Sequence, residues 1–349
     1  MGSSEVTRRE EIAQVFYAKP HVVILGAGAS IAALPYGDAN GRLLPDMPGL
    51  AALPAVRDLL AEAGVTGPDT NFEAAYARLR AEGQNGLADK IDVEVRAYFS
   101  AIEIVDQPTI YDHLLLSLRP KDLIATFNWD PLLVQSHHRL IEAGARDLPD
   151  MVFLHGNVAV GACTDHHKQG DLCASCPTCG RPLEPVPLLY PVTEKNYEAD
   201  AFISYAWSDL RAALADACIV TIFGYSAPVS DVAAIGEFKR AWGRTDDREF
   251  EQFELIIRPG ADHNAAERTW DDFLFSHHFD VFEDFYDSAA ATHPRRSAEN
   301  YFNRFLEAKF TDTNPVPPGL DLADTVAWYG ELWAAETAAR ADRPARATD

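Results

Sequence analysis

Short runs of apolar, mostly β-branched residues recur along the chain, at 22–25, 123–126, 152–154, 219–223, 255–257 and 279–282. Each is too continuously apolar for a strand with one face in water, whose side chains would alternate between solvent and core. Runs of this kind belong to strands buried on both faces, which requires helices above and below a parallel sheet. Helical patterns follow most of them, at 130–143, 231–242 and 265–275. The expected fold class is therefore α/β, a Rossmann-like parallel sheet with helices on both faces.

Two stretches interrupt the alternation. Residues 47–118 are Ala- and Leu-rich between Gly and Pro breaks and show no strong strand, so they read as a helical insertion. Residues 157–191 are polar and Pro-rich and hold four of the five cysteines, Cys163, Cys173, Cys176 and Cys179. Clustered cysteines in a chain of this size point to a metal rather than to a disulfide framework. Cys176 and Cys179 form a CxxC knuckle suited to tetrahedral thiolate coordination of zinc, a structural site with every position filled by protein. Two completions are open: Cys163 with Cys173, or Cys163 with His166. The expected organisation is an N-terminal segment 1–20, a sheet domain from 20–46, 119–156 and 192–312, a helical insertion 47–118, a zinc-binding insertion 157–191, and a C-terminal helix and tail 313–349. The aromatics of that last helix, Trp328, Tyr329 and Trp333, would dock on the chain itself or on a partner. Cys218, inside the run 218–223, is expected to pack as a small buried hydrophobe.

Charge narrows the partners. Lys and Arg total 30 against 53 Asp and Glu, a formal charge of −23. Binding phosphate backbones needs a clustered positive surface, so nucleic acid and anionic membrane surfaces are disfavoured. No apolar run reaches the roughly 18 residues of a spanning helix, and the chain reads as cytoplasmic.

The first apolar run passes directly into Gly26-Ala27-Gly28-Ala29-Ser30. Small residues there let backbone N–H groups approach a pyrophosphate at a helix N-terminus. A dehydrogenase fits poorly. Its third glycine is Ile31 here, and the acid at the right count, Asp46, ends no visible strand. Three further strand ends carry polar residues: Phe127-Asn128-Trp129-Asp130, His155-Gly156-Asn157, and Gly224-Tyr225-Ser226 running on to Ser230-Asp231. Asp130, Ser230 and Asp231 each also suit a helix N-cap. All of them would converge on the sheet edge that carries the glycine loop.

In this order the motifs resemble sirtuins. GAG-x-S, Thr126-x-Asn128-x-Asp130, His155-Gly156, a cysteine cluster closing at Cys176-Pro177-Thr178-Cys179-Gly180, and Gly224-Tyr225-Ser226 span roughly residues 20–285. The GAGAS and GYS forms look most like bacterial sirtuin-like NAD hydrolases that act as anti-phage defence effectors. The chain departs from protein deacylases of that family. The GIPDFR-type stretch is replaced by a loop from Asp38 to Asp46, the FGE segment by Tyr190-Pro191-Val192, and TQN by Thr126-Phe127-Asn128.

The resemblance implies NAD as substrate, structural zinc, and cleavage of the nicotinamide–ribose bond to nicotinamide and ADP-ribose. Asn128 would hold the ribose or an attacking water, Asp130 would orient the same segment or hydrogen-bond the ribose, and His155 would act as general base on water or on a ribose hydroxyl, since imidazole titrates near neutrality. Gly26, Ala27, Gly28, Ala29 and Ser30 would hold the pyrophosphate, and Gly224, Tyr225 and Ser226 the adenosine half. Arg42 is a further candidate for a phosphate, or a surface residue. The alternatives are an NAD-dependent protein deacylase or ADP-ribosyltransferase, and a non-catalytic NAD or ADP-ribose sensor. A separate trigger or NTPase partner chain and homo-oligomer assembly complete the expectation. No role is assigned to His137-His138 or His277-His278.

Overall fold

The computed structural model describes residues 5–67, 70–190, 200–227, 232–243, 248, 251–274 and 278–342. Pro191, Val192, Ser230, Asp231 and His277, named above, lie outside the described residues.

All the apolar runs are strands of one six-stranded sheet: β1 (His21–Leu25), β2 (Leu123–Thr126), β3 (Asp150–Phe153), β4 (Ile219–Phe223), β5 (Gln252–Ile256) and β6 (Phe279–Phe282). Neighbours pair in parallel in the order β3-β2-β1-β4-β5-β6. The chain builds outward from β1 to β3, then returns across β1 and builds β4 to β6 the other way. That reversal opens a crevice between the carboxyl ends of β1 and β4, where open sheets of this order hold ligands.

The period of two along β1 supplies two cores. Val22 and Ile24 pack with Trp207, Leu210 and Phe238 from helices Ala201–Asp216 and Val232–Trp242. Val23 and Leu25 pack with Ala29, Leu115 and Leu132 from helices Ala27–Ala33, Ile110–Ser117 and Leu132–Glu142. Burying each large side chain of this kind is worth roughly 1.5–3 kcal/mol. Helix Ile110–Ser117 thus packs on the sheet rather than with the insertion in which its sequence position had placed it. The helices Met47–Ala52, Pro54–Glu62, Phe72–Ala81 and Asn85–Ser100 close a third core around Leu60, Phe72, Leu79 and Ile91. Trp129, Leu188 and Tyr190 enter this third core from the strand-end loops. The cysteine-rich segment forms a three-stranded antiparallel sheet from Val160–Cys163, Lys168–Asp171 and Glu184–Pro185. Cys218 is fully buried, as its apolar context required. Among the described residues no helix is long and apolar enough to cross a membrane.

The single C-terminal helix expected from sequence is two, Leu322–Trp328 and Gly330–Ala341. Gly330 is a poor residue for a helix interior, and Tyr329 at the break is buried, its hydroxyl 3.0 Å from Ser117 Oγ. Tyr329 and Trp333 dock on the chain itself, in the second core. Below them the buried Glu336 accepts from the guanidinium groups of Arg295 and Arg296. The remaining N–H groups of the two arginines go to the carbonyls of Ile12, Leu116, Leu118, Asp147, Arg295 and Leu332. Both ends of the chain are thereby tied to the helical layer under the sheet.

A buried polar chain crosses the middle of the sheet. Ser297 Oγ and Thr221 Oγ1 flank the His21 ring at 3.0 and 2.7 Å. Thr221 donates to Glu254 Oε2 at 2.7 Å, and the Ala289 N–H donates to Glu254 Oε1 at 3.0 Å. Burial pushes the Glu254 carboxyl up to about 7 against these two bonds, and Asp280 adds to the rise. A carboxyl whose folded value lies above its ordinary 4.5 binds its proton more tightly in the folded state. The associated stability is complete at low pH and is lost as pH climbs through 7. Glu254→Gln, which cannot ionise, is expected to gain in melting temperature over the parent between about pH 5 and about pH 8. A difference that stays constant across that range would contradict this account of Glu254.

Candidate functional site

The sheet register aligns the strand ends. Leu25, Thr126, Phe153 and Phe223 close the paired rows of β1 to β4. Two residues beyond that row stand Ala27, Asn128, His155 and Tyr225. The motifs scattered along the sequence therefore share one edge because parallel pairing puts them in step.

The two glycine loops at the crevice meet backbone to backbone. The Gly26 N–H donates to Phe223 O and the Gly28 N–H to Gly224 O, both at 2.9 Å. A Cβ on Gly28 would stand 2.8 Å from Gly224 Cα, and one on Gly224, whose φ is +64°, would stand 2.2 Å from Ala29 N. Gly28 and Gly224 are glycine because the loops touch. This modifies the sequence expectation: the Gly28 N–H is committed to Gly224, and the Ala29 N–H bonds Gly26 O at 3.0 Å.

Successive side chains of the segment after β2 go to different places. Phe127 turns into the first core, stacking on Tyr225 at 4.3 Å and meeting the His155 ring edge-on at 4.6 Å. Asn128 turns to the glycine loop, its Nδ2 lying 2.8 Å from Gly26 O, 2.9 Å from Ser30 Oγ and 3.2 Å from the Tyr111 hydroxyl. Trp129 packs into the helical module against Phe99 and Tyr190, at 5.9 and 4.9 Å. Asp130 returns to the site, where Oδ2 accepts from Ser30 Oγ at 2.7 Å and Oδ1 from the Leu132 N–H at 3.2 Å. The cap position of the next helix falls to Pro131, so the Asp130 carboxylate holds the turn into that helix through the Leu132 N–H and is not its N-cap. Burial pushes its carboxyl up to about 6, opposed by the Ser30 and Leu132 bonds.

His155 is buried at the end of β3, and its carbonyl accepts from the Leu189 N–H at 2.9 Å. Asn157 clamps the neighbouring loop: Nδ2 donates to Asp130 O at 2.6 Å and Asn128 O at 3.2 Å, and Oδ1 accepts from the Ala159 N–H at 2.9 Å. Sequence reasoning gave Asn157 no role, although its place beside His155-Gly156 was a signal. It missed Tyr111 altogether, because nothing in a helix ahead of β2 marks that residue.

Tyr225 reaches the site through its stack on Phe127, while Ser226 is exposed. Arg42 is engaged by its own chain. Its guanidinium donates to Ala101 O at 2.7 Å and lies 3.4 Å from the buried Asp38 carboxylate. Burial pushes the Asp38 carboxyl up, but the N–H groups of Arg42, Glu103 and Asn40 and the Arg42 guanidinium outweigh it and hold it below its ordinary value.

In the cysteine-rich module Cys163, His166, Cys176 and Cys179 bring their ligand atoms within 4.8 Å of one another. Zinc bonds of about 2.3 Å to sulfur and 2.0 Å to nitrogen set tetrahedral edges of roughly 3.5–3.8 Å. The contacts are Cys163 Sγ to His166 Nδ1 at 3.3 Å, Cys163 Sγ to Cys179 Sγ at 3.9 Å and Cys176 Sγ to His166 Nδ1 at 4.0 Å. These residues fit zinc by donor type and by spacing. Cys173 is the correction: it is exposed, sits at φ +67° and lies outside the group, so the structure builds the histidine completion and not the four-thiolate one. His167 joins this module to helix Ala201–Asp216, its Nε2 lying 3.1 Å from the Tyr205 hydroxyl.

No family model matches the chain, and no curated protein matches it. Solved structures do. One, described for the mechanism and regulation of Sir2 enzymes, is 13% identical over 95% of this chain and 96% of its own, with a TM-score of 0.36. A Sir2–p53 peptide–NAD+ complex is 14% identical over 86% of this chain and 96% of its own, with a TM-score of 0.38. A Sir2 homologue–NAD complex is 16% identical over 86% and 91%, with a TM-score of 0.32. The fold described above rests on strand order and register, independently of these low scores.

The metal assignment separates two neighbouring cysteines. The purified protein is expected to carry about one zinc per chain by elemental analysis, as a filled four-ligand structural site does. Cys176→Ser should lose the zinc and Cys173→Ser should keep it. Loss from Cys173→Ser with retention in His166→Ala would restore the four-thiolate set.

Proposed function

We propose that this chain is a sirtuin-like NAD+ hydrolase that releases nicotinamide and ADP-ribose. The observation that carries the proposal is the convergence of Asn128, Ser30 and Asp130 on the glycine loop at the β1/β4 crevice, with His155 in step on the next strand. The motifs in sirtuin order support NAD as the ligand.

Breaking the nicotinamide–ribose bond leaves the electron pair on nicotinamide, which departs neutral, and an oxocarbenium-like centre on the ribose. Water then adds to that carbon and loses a proton. In this reading Asn128 orients the ribose or the water through its amide, and His155 takes the proton. Asp130, anionic above a pKa of about 6, holds the Ser30 hydroxyl beside Asn128 and lends negative charge to a site where positive charge develops. The glycine loop would border the pyrophosphate with the Gly28 N–H still bonded to Gly224 O. Gly224, Tyr225 and Ser226 border the adenosine half.

Water as acceptor is favoured over an acylated peptide by the loop after helix Ala27–Ala33. Asp38 accepts N–H bonds from Asn40, Arg42 and Glu103, so the segment standing where deacylases carry a substrate-binding stretch is folded back on its own chain. Zinc held by Cys163, His166, Cys176 and Cys179 would fill all four positions with protein ligands and supply architecture, not chemistry. It would steady the segment that carries Leu188 and Tyr190 back onto Trp129. Depletion of NAD in anti-phage defence, homo-oligomer assembly and control by a separate partner chain extend the proposal on the strength of the GAGAS and GYS forms.

Incubation with NAD, followed by chromatography of the products, is expected to show nicotinamide and ADP-ribose in equal amounts. His155→Ala should cut the rate roughly a hundredfold or more, the scale of a lost general base, and Asn128→Ala should also abolish most turnover. NAD binding without turnover would favour a sensor, and an acyl–ADP-ribose product in the presence of acylated peptide would favour a deacylase. Failure to bind NAD would contradict the assignment of the crevice.

A further inference from the structure

Tyr111 comes to the site from a helix that no motif marks. It is 1% exposed, and its hydroxyl lies 2.6 Å from Ser30 Oγ and 3.2 Å from Asn128 Nδ2. The direction of these bonds follows from counting protons. A serine hydroxyl has one, and Ser30 donates it to Asp130 Oδ2 at 2.7 Å. The Ser30–Tyr111 contact must then be donated by Tyr111. Ser30 Oγ keeps two lone pairs, one for the Tyr111 O–H and one for an Asn128 N–H. The other Asn128 N–H goes to Gly26 O. Every donor is used, and the chain has one sense, from Tyr111 to Ser30 to Asp130.

Two features keep Tyr111 in that role. Burial raises its phenol well above the ordinary range, so it remains a donor wherever the protein is folded. The first turn of its helix is clamped as well. Asp112 accepts from the Thr109 N–H at 2.6 Å and from Arg139 Nε at 2.8 Å, which fixes the register of the helix beside the glycine loop.

We propose that Tyr111 is a positioning residue of this site, whose hydroxyl fixes the Ser30 oxygen and through it sets the Asn128 amide and the Asp130 carboxylate in the arrangement that nicotinamide release requires. The inference rests on the hydrolase reading above. It assigns Tyr111 no contact with NAD. Its effect belongs to turnover and not to binding.

The test uses Tyr111→Phe in the full chain, which keeps the ring and removes only the hydroxyl. The kcat for nicotinamide release is expected to fall roughly tenfold, the scale of one lost positioning hydrogen bond. KM for NAD and the melting temperature should stay close to those of the parent. In a Ser30→Ala background the same substitution should cost nothing further, because the path through Ser30 is already broken. An unchanged kcat, or a loss confined to KM or to melting temperature, would make Tyr111 a packing residue. A full additional loss in the double variant would show that it acts independently of Ser30, and would also overturn the inference. Wild-type turnover with an unaffected Tyr111→Phe leaves the hydrolase reading standing, whereas no turnover by the wild type overturns both.

Discussion

The contact on which the strand-end edge depends is the bond from the Gly28 N–H to Gly224 O, between the loops that follow β1 and β4. These strands are neighbours only because the chain reverses its direction of building between them. A side chain at either glycine would drive the loops apart. Their closeness sets Tyr225 over Phe127 and places Phe127 beside His155. Gly26 O reaches Asn128 because the strands before them, β1 and β2, pair directly.

The segment Phe127–Asp130 is where the parts of the molecule meet. Its four side chains serve the sheet core, the glycine loop, the helical module and the next helix in turn. The stretch follows the strand without continuing it, and its side chains leave in different directions, so it joins cores that would otherwise be separate. The cysteine-rich module closes the arrangement from the far side. Gly156 turns at φ +77° against Pro187, with no room for a Cβ 1.9 Å from the Pro187 carbonyl, and Leu188 and Tyr190 then pack with Trp129. The cysteine-rich segment is therefore packed against the loop that holds Asn128.

The strands were legible because burial on both faces leaves an unbroken apolar run, a signal that survives without knowledge of partners. The position of Asn128, Asp130 and His155 near the carboxyl edge of the sheet was legible because each lies within four residues of the end of such a run. What escaped depends on contacts between distant segments. Tyr111 sits in an ordinary amphipathic pattern and gains its role only when its helix packs beside Ser30. Helix Ile110–Ser117 had the composition of the insertion, yet its apolar face found the sheet. Spacing could not choose between Cys173 and His166, since both lie within loop reach of the knuckle; the folded chain brings the His166 ring, and not the Cys173 thiol, to the other three side chains. The partners of Arg42, the carbonyl of Ala101 and the buried carboxylate of Asp38, were hidden for the same reason.

The central claim is that the β1/β4 crevice receives NAD. Hydrogen–deuterium exchange of the full chain with and without saturating NAD examines this directly, since it reads backbone protection without requiring turnover. Protection should rise in peptides covering residues 26–31, 127–131 and 224–227 while the surface of the helical module stays unchanged. Protection confined to the helical module, or none at all with NAD bound, would contradict the account.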